Sequence, residues 1–253
     1  MAGKKESSQI TSQLNCRIGT NRKFGAADLD GWLLKKIGLK AGSSVLDVGC
    51  GTGNHLVKMA ERYPHGNYYG IDISKNSIEE AKSKAIKENL NIRFICGDAS
   101  DASSLQDGFF DVIMSVYSLY YVKNARNLLD ALKKKLAPGG KIAVMCPYRG
   151  NNEEWYSFLS SFMKIPDEIM QIADNFMDKE VLPFAKSNFS SLKTYNFTNA
   201  IAIPSHGDLK NYWLSNIYHK EEFDNAFEKK AGEFFGKNNK FTITKRALLA
   251  IMS

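Results

Sequence analysis

The 253-residue sequence has few cysteines and no long apolar run. Its four cysteines form no C-x-x-C pair, which argues against a structural zinc site and a disulfide framework; they are Cys16, Cys50, Cys96 and Cys146. No stretch approaches the length of a membrane span, and the N-terminus lacks the apolar region of a signal peptide. These absences predict reduced thiols, a cytoplasmic location and no contact with a membrane.

Long basic runs are also missing, although the formal net charge is +7. Lysines cluster in twos and threes at Lys4-Lys5, Lys35-Lys36 and 133–135. A nucleic-acid patch needs roughly five to eight basic residues together. The pattern favours solvated helix faces, so a nucleic-acid partner is an alternative that the sequence does not favour.

A glycine-rich turn is the most informative feature that is present. Residues 45–48 form a short apolar strand, Gly49, Gly51 and Gly53 follow at alternate positions, and residues 55–62 read as a helix. Glycine adopts positive φ at little cost and lets a ligand approach the backbone closely. Free amides at the start of the helix offer donors to a ligand. The segment therefore predicts a site for a nucleotide-type cofactor.

The spacing of the turn separates two classes of cofactor. A dinucleotide site has G-x-G-x-x-G, but here Asn54 stands where the third glycine belongs. Asp47 lies two residues before the first glycine. A carboxylate there would repel the pyrophosphate of a dinucleotide but would attract a cofactor that carries an ammonium and a sulfonium. A nicotinamide dehydrogenase is therefore disfavoured.

Val-Leu-Asp-Val-Gly-Cys-Gly-Thr-Gly resembles motif I of the class I S-adenosylmethionine-dependent methyltransferases. The resemblance implies S-adenosyl-L-methionine as cofactor, with Gly49, Gly51 and Gly53 near its methionine part. Asp47 would support the turn and the ammonium.

Two further acids follow later strands. Asp72 ends a strand over residues 67–73, nineteen residues after Gly53, where a carboxylate accepts hydrogen bonds from ribose hydroxyls. Its alternative role is to cap the next helix, for which Ser74 is better suited. Gly-Asp-Ala at 97–99 follows the third strand and resembles the family's adenine-binding segment. The resemblance implies that Asp98, Ala99 and Ile73 also bind the cofactor.

The fourth strand, over 108–115, leads into a tyrosine-rich segment. Strand ends line the crevice of open α/β sheets, so Ser115 is predicted to contact the cofactor, and Tyr117, Tyr120 and Tyr121 the acceptor. The Asn/Asp-Pro-Pro-Tyr/Phe motif of amino-methyltransferases is absent. Tyr120 and Tyr121 stand where many small-molecule members have histidines, and packing is an equally good interpretation of these rings.

The remaining chain predicts the rest of the fold. The turn 137–140 and a strand over 141–146 complete five strands that match the family in order. Residues 148–192 read as a helical cap, in which Tyr148 is a further candidate for contact with the acceptor, although a plain packed extension is the alternative. Two late strands, 193–203 and 241–251, would form an antiparallel pair.

We therefore predict an α/β fold with a doubly wound, seven-stranded Rossmann-like methyltransferase sheet of order 3-2-1-4-5-7-6 and a helical cap inserted after strand 5. The predicted segments are an N-terminal lid at 1–40, the S-adenosylmethionine-binding core at 41–147, the cap at 148–192 and the closing strands at 193–253.

The predicted function is transfer of a methyl group to an O, N or S nucleophile of a small-molecule acceptor. No general base stands out, and the weak candidates are Tyr121 and His206. No acid cluster predicts a metal site. An RNA- or protein-modifying methyltransferase and a non-catalytic S-adenosylmethionine-binding protein remain alternatives. The sequence does not indicate the oligomeric state.

Overall fold

The computed structural model describes residues 7–100, 105–166 and 175–253, with side chains from residue 11 onward. The strands are β1 Ser44–Val48, β2 Asn67–Asp72, β3 Ile92–Cys96, β4 Phe110–Val116, β5 Leu136–Pro147, β6 Leu192–Ile203 and β7 Phe241–Met252. The helices are α1 Ser7–Phe24, α2 Leu29–Ile37, α3 Asn54–Arg62, α4 Lys75–Lys87, α5 Ala125–Lys135, α6 Glu153–Ser160, α7 Leu182–Asn188, α8 His206–Leu214 and α9 Asp224–Phe235. Short 3-10 turns occupy Leu119–Tyr121 and Glu221–Phe223, and a π-turn occupies Met177–Val181.

The seven strands form one sheet in the order β3-β2-β1-β4-β5-β7-β6, which confirms the predicted order. Parallel pairing joins β1 to β2 and β4, β2 to β3, and β4 to β5. Ser191 and Ser253 exchange two backbone hydrogen bonds, which is the pattern of an antiparallel pair at the start of β6 and the end of β7. The sheet is therefore mixed, as the sequence predicted.

The centre of the sheet is formed by strands that are buried on both faces. All five residues of β1 are buried, as are six of the seven residues of β4. α3 covers the sheet with Leu56, Val57, Met59 and Ala60, and α5 does so with three leucines, Leu128, Leu129 and Leu132. An apolar face at helical spacing is what fixes such helices against a sheet. Rigid central strands then hold the glycine turn between β1 and α3.

The described residues fall into two compact units. The first contains the described parts of 1–28, 148–173 and 197–247, and the second those of 29–147, 174–196 and 248–253. The assignment of the predicted segments as lid, core, cap and closing strands remains a prediction, and part of the cap, 167–174, lies outside the described residues.

The first unit has an aromatic core. Trp155 and Trp213 are each 1% exposed, and the ring of Trp213 stacks on Phe227 at 5.4 Å. Trp155 meets Tyr212 edge-on at 5.1 Å and Phe241 at 6.2 Å. Each ring pair in such a geometry contributes about 0.5–1.5 kcal/mol of stability in addition to the contribution from burying apolar surface. Much of the aromatic content after β5 therefore packs the interior of this unit.

The N-terminal segment begins with α1, a helix of 18 residues. It packs on α8 within the first unit: Gln13 donates to the carbonyl of Leu214 at 3.3 Å, and Arg17 donates to that of Ser215. Phe24 packs against the aromatic core. The role of this segment as a lid over the cofactor remains a prediction. Across the described residues, no helix is both long and apolar enough to cross a membrane.

Candidate active site

The glycine turn has the backbone conformation that the sequence predicted. Gly49, Gly51 and Gly53 have φ of +75°, +52° and +72°. Residues other than glycine adopt such backbone angles at a cost of about 1–2 kcal/mol. The amides of Gly49 and Cys50 donate to the carbonyl of Ile71 on β2, at 2.8 and 3.1 Å. Gly53 is the N-cap of α3 and accepts from the amide of Val57. The turn is thus tied to the neighbouring strand at one end and to the helix at the other.

A serine packs against the first glycine, and sequence reasoning missed it. A Cβ on Gly49 would lie 2.3 Å from Cβ of Ser118, so no larger residue fits there. Ser118 donates its hydroxyl hydrogen to the carbonyl of Val48 at 2.7 Å, and its Oγ is 2.6 Å from Oγ of Ser115. Ser115 is 2% exposed and supports Ser118, and its predicted contact with the cofactor remains a prediction. This pair positions the segment after β4 directly against the turn.

Asp47 is a buried carboxylate behind the turn. It is 1% exposed, and its Oδ2 has no hydrogen-bond partner in the described structure. Burial raises its pKa from 3.8 to about 7, with a smaller raising effect from Asp72, while His55 opposes the rise. An unpartnered buried carboxylate oxygen is costly, so its presence indicates a site built to receive a donor or a cation.

His55 and Asp30 form a pair beside this carboxylate. His55 is the second residue of α3, and its Nδ1 lies 2.6 Å from Oδ1 of Asp30 on α2. Both side chains are mostly buried, at 21% and 15% exposed. The sequence offered no signal for this contact, because the two residues are 25 positions apart on separate helices.

Asp72 binds backbone amides on two sides. Its Oδ2 accepts from the amide of Gly51 at 2.8 Å, and its Oδ1 accepts from the amide of Ser74 at 2.8 Å. Ser74 caps α4 as predicted, because its hydroxyl accepts from the amide of Ser77. Each oxygen of an ionised carboxylate can accept a second hydrogen bond. Asp72 therefore orients the turn and retains acceptor capacity for a ligand, and ribose binding remains a prediction.

Asn54, which replaces the third glycine of a dinucleotide site, is held by a lysine from α4. Lys84 donates to Oδ1 of Asn54 at 3.1 Å and to the carbonyl of Thr52 at 3.2 Å, and it pairs with Glu80 at 2.8 Å. Asn54 in turn donates to Oγ1 of Thr52 at 3.1 Å. These contacts fix the start of α3 without a third glycine, and nothing in the spacing of the sequence pointed to Lys84.

The residues predicted to bind adenine lie at the ends of β2 and β3. Ile73 follows Asp72 and is 75% exposed, an unusual exposure for an isoleucine beside a buried strand. Asp98 is exposed, and the amide and hydroxyl of Ser100 hold its pKa below the ordinary value. Ala99 is half-buried beside it. These groups offer an apolar surface and an ionised acceptor, and their binding of adenine remains a prediction.

The tyrosines after β4 form a cluster of rings. Tyr120 and Tyr121 have ring centroids 4.5 Å apart, and Tyr120 meets Phe176 edge-on at 6.2 Å. Tyr117 has φ of +56°, an uncommon conformation for a residue other than glycine, asparagine or aspartate. Burial raises the pKa of both Tyr117 and Tyr120, so these phenols stay neutral at physiological pH. Tyr121 is 70% exposed.

The other two residues of interest belong to the first unit. Tyr148 follows β5 and packs beside Arg149, whose guanidinium lies 5.1 Å from the centre of its ring. His206 begins α8, and its Nε2 is 2.9 Å from Oε2 of Glu228 on α9. The pairing with Glu228 gives His206 a local structural role. Contact of Tyr148 with an acceptor and action of His206 or Tyr121 as a base remain predictions. No cluster of potential metal ligands occurs among the residues that the structure describes.

Comparison with known proteins places this geometry in a family. A family model described as "Methyltransferase domain" matches residues 39–190, which is more than half of the chain. A demethylmenaquinone methyltransferase from Staphylococcus saprophyticus is 30% identical over 188 residues, 67% of this chain and 80% of that protein. Phosphoethanolamine N-methyltransferase 1 from Zea mays is 34% identical over 120 residues, 47% of this chain but only 24% of that protein.

Solved structures agree with this placement at the level of the fold. The crystal structure of a putative methyltransferase from Bacillus halodurans superposes with a TM-score of 0.60 at 13% identity, covering 89% of this chain and 98% of that one. The sheet order, the glycine turn with its three positive φ angles and the family match agree with one another. The chain therefore belongs to the class I S-adenosylmethionine-dependent methyltransferases.

Proposed function

We propose that the protein transfers the methyl group of S-adenosylmethionine to an oxygen, nitrogen or sulfur nucleophile of a small-molecule acceptor. The observation that carries the proposal is the buried Asp47 carboxylate with its unpartnered oxygen, directly behind a turn of three glycines. The similarity to demethylmenaquinone and phosphoethanolamine methyltransferases supports a small acceptor, because both of those names state one.

The residues present fit the cofactor chemically. The ammonium of its methionine part would supply the missing partner of Asp47, a charge-assisted contact of the strong kind. The glycines leave the backbone open to close approach. Asp72 has acceptor capacity for the ribose hydroxyls, and exposed Ile73 and ionised Asp98 would serve adenine.

The chemistry requires alignment more than acid–base catalysis. The bound cofactor supplies a methyl group that is already activated by its sulfonium, so the nucleophile displaces sulfur in line as the methyl–sulfur bond breaks. The protein has to exclude water and orient the acceptor. Tyr117 and Tyr120 have raised pKa values, so they suit donation of hydrogen bonds and ring contacts rather than removal of a proton. We therefore infer an acceptor that is nucleophilic without a protein base and loses its proton to solvent.

Methyl transfer from labelled S-adenosylmethionine to fractionated cell extract tests this proposal, with the small-molecule fraction assayed apart from RNA and protein. Demethylmenaquinone and phosphoethanolamine are the first pure acceptors to test, because similar proteins are named for their methylation. We expect label in a small molecule and none in RNA. Label only in RNA or protein would contradict the choice of acceptor, and cofactor binding without any transfer would indicate a non-catalytic binding protein.

Tyr120→Phe and Tyr121→Phe test the ring cluster once an acceptor is known. We expect a raised KM for the acceptor with little change in cofactor affinity, because the rings contact each other and Phe176, and none of the contacts shown for them involves Asp72. A changed cofactor affinity with an unchanged acceptor KM would contradict this assignment.

A further inference from the structure

Three segments of the second unit contain lysines but no acidic residue. Residues 31–46 have three lysines, residues 131–146 have four and residues 182–196 have two, and no Asp or Glu occurs in any of them. These segments contain the starts of β1, β5 and β6. Each basic run is short, so the sequence by itself does not predict an anionic partner. Contacts in the folded unit bring the separate lysines together.

Two lysines at the ends of helices contact the chain around the start of β6. The Nζ of Lys36, near the end of α2, lies 4.5 Å from the ring centre of Tyr195 on β6. Lys133, near the end of α5, donates to the carbonyl of Asn188 at 2.7 Å, and its Nζ lies 5.3 Å from the ring centre of Phe189. The ends of α2 and α5 are therefore both close to the chain that leads into β6.

Three further lysines belong to the same edge of the sheet. Lys193 and Tyr195 are two residues apart on β6, so they point to the same face of that strand. Lys141 lies where β5 pairs with the start of β4. Burial lowers the pKa of its ammonium, the positive charges of Lys40 and Lys193 lower it further, and Asp111 opposes the change. We call the five residues that these contacts and charges join the lysine edge: Lys36, Lys40, Lys133, Lys141 and Lys193.

The positive charge of the lysine edge is poorly balanced. Among the residues that the structure describes, none of its five lysines forms an ion pair with a carboxylate, whereas the neighbouring Lys135 pairs with Asp107 at 2.6 Å. Asp111, at the start of β4, accepts from the amide of Ser44 at 2.8 Å through its Oδ2. Ammonium groups that lack acidic partners along one edge attract a polyanion.

We propose that the lysine edge binds the phosphate backbone of a nucleic acid without reading its sequence. Each ammonium acts as a point charge toward a phosphate. The rings of Tyr195 and Phe189 are half-buried and each faces a lysine ammonium, so stacking on bases contributes little. None of the large apolar side chains that are exposed in the described structure lies in the three segments, which favours a nucleic acid over a membrane into which such side chains insert.

The inference does not rest on the proposed function. The glycine turn and Asp72 lie at the carboxyl ends of β1 and β2, whereas the lysine edge lies at the amino ends of β1, β5 and β6. A nucleic acid bound at the lysine edge would therefore leave the cofactor site open. It would hold the protein beside the polymer and would not be the methyl acceptor, so we expect binding of RNA without its methylation.

Fluorescence anisotropy with a labelled oligouridylate of about 20 nucleotides tests the proposal, with KCl varied from about 50 to 200 mM. For the wild type we expect the logarithm of the association constant to fall linearly with the logarithm of the salt concentration. The expected slope is about −3.5, from about −0.7 for each of five lysines. The variant K40Q/K141Q/K193Q should bind at least about tenfold more weakly at the lowest salt concentration, with a slope of about −1.4.

The matched control is K58Q/K82Q/K123Q, which removes three charges from exposed lysines of the same unit outside the lysine edge. Its slope should equal that of the wild type. Equal losses in the two triple variants would show that only net charge matters and would overturn the proposal. A wild type that binds no oligouridylate at the lowest salt concentration would overturn it as well.

A second ligand separates the two kinds of polyanion. Binding to vesicles of equal parts phosphatidylcholine and phosphatidylserine, without binding to oligouridylate, would identify a membrane as the partner and would contradict the proposal. If circular dichroism shows that K40Q/K141Q/K193Q does not fold, Lys40→Gln and Lys193→Gln should each make the slope less steep by about 0.7. An unchanged slope in both single variants would overturn the assignment.

Titration with S-adenosylhomocysteine keeps this test apart from that of the proposed function. The affinity for S-adenosylhomocysteine should be the same in the wild type and in K40Q/K141Q/K193Q. A protein that binds oligouridylate through the lysine edge but no S-adenosylhomocysteine would overturn the proposed function alone. The reverse result would overturn only the role of the lysine edge.

Discussion

At the scale of single residues, the site contains a carboxylate, Asp47, whose burial makes its ionisation unfavourable. Asp47 is 1% exposed, and burial raises its pKa to about 7, so the unliganded protein holds a carboxyl group that is only partly ionised at neutral pH. Such a group opposes folding as it ionises. A ligand that brings a cation offsets the free-energy cost of ionising the buried carboxyl group. Ligand binding at Asp47 is therefore coupled to the stability of the folded protein.

Asp47→Asn should therefore stabilise the unliganded protein at high pH. The folded-state pKa of Asp47 is raised above 3.8, so the stability that its neutral form contributes is present at low pH and is lost as pH rises toward about 7. We expect the free energy of unfolding of the variant, relative to wild type, to increase by roughly 2–3 kcal/mol between pH 5 and pH 8. Urea unfolding at both pH values measures this.

The same variant should lose most of its affinity for S-adenosylhomocysteine. A pH-independent difference in stability between variant and wild type would contradict the burial argument, and unchanged cofactor affinity would contradict the ammonium assignment.

Asp72 orients the glycine turn and is predicted to bind ribose, and a ligand analogue can separate these two roles. Asp72→Ala removes the acceptor for the amides of Gly51 and Ser74, so the free energy of unfolding should fall by about 1–3 kcal/mol. Comparison of S-adenosylhomocysteine with its 2′,3′-dideoxy analogue isolates the ribose contact. We expect the missing hydroxyls to cost about 1–3 kcal/mol of binding in wild type and almost nothing in Asp72→Ala. Equal penalties in both proteins would show that Asp72 only orients the turn.

At the scale of elements, the glycine turn is constrained from both sides. β1 and β2 fix its first residues, and Ser118 closes the space that a side chain on Gly49 would need. The 3-10 turn Leu119–Tyr121 follows immediately, so Tyr120 and Tyr121 are attached to the same support. A change at Gly49 should therefore disturb both the fold and the cofactor site.

Gly49→Ala should lower the free energy of unfolding by at least about 2 kcal/mol, because positive φ and the contact with Ser118 both oppose a Cβ. Cofactor affinity should fall at least tenfold. Gly232→Ala is the matched control: it lies within α9, its Cβ would meet nothing within 4 Å, and helix propensity predicts a gain of about 0.5–1 kcal/mol. Equal effects of the two substitutions, measured by urea unfolding, would contradict the steric argument.

The first strands were largely predictable from the sequence, because β1 to β4 are runs of five to seven residues followed within two residues by glycine or a polar residue. The cap at Ser74 is as predicted, because its hydroxyl accepts from the amide of Ser77 at the start of α4. The contacts of Ser118, Lys84 and His55 could not be predicted. Each joins residues between 25 and 70 positions apart, and nothing in local periodicity encodes such a pairing.

At the scale of the whole molecule, the predicted cofactor residues and the aromatic core belong to different compact units, and the sequence indicated only the first of these. The turn and all the predicted cofactor residues belong to the unit that contains β1 to β5. The aromatic residues after β5 gave an ambiguous signal, because apolar rings suit an acceptor pocket and a packed interior equally well. In the structure Trp155, Tyr212 and Trp213 are buried in the interior of the other unit.

Calorimetric titration of the purified wild-type protein with S-adenosylhomocysteine, beside an identical titration with NAD, tests the central claim most directly. The account predicts one site per chain for S-adenosylhomocysteine and no binding of NAD, because Asp47 lies behind the turn and Asn54 replaces the third glycine of a dinucleotide site. Binding of NAD, or no binding of S-adenosylhomocysteine from pH 6.0 to 8.5, would contradict it.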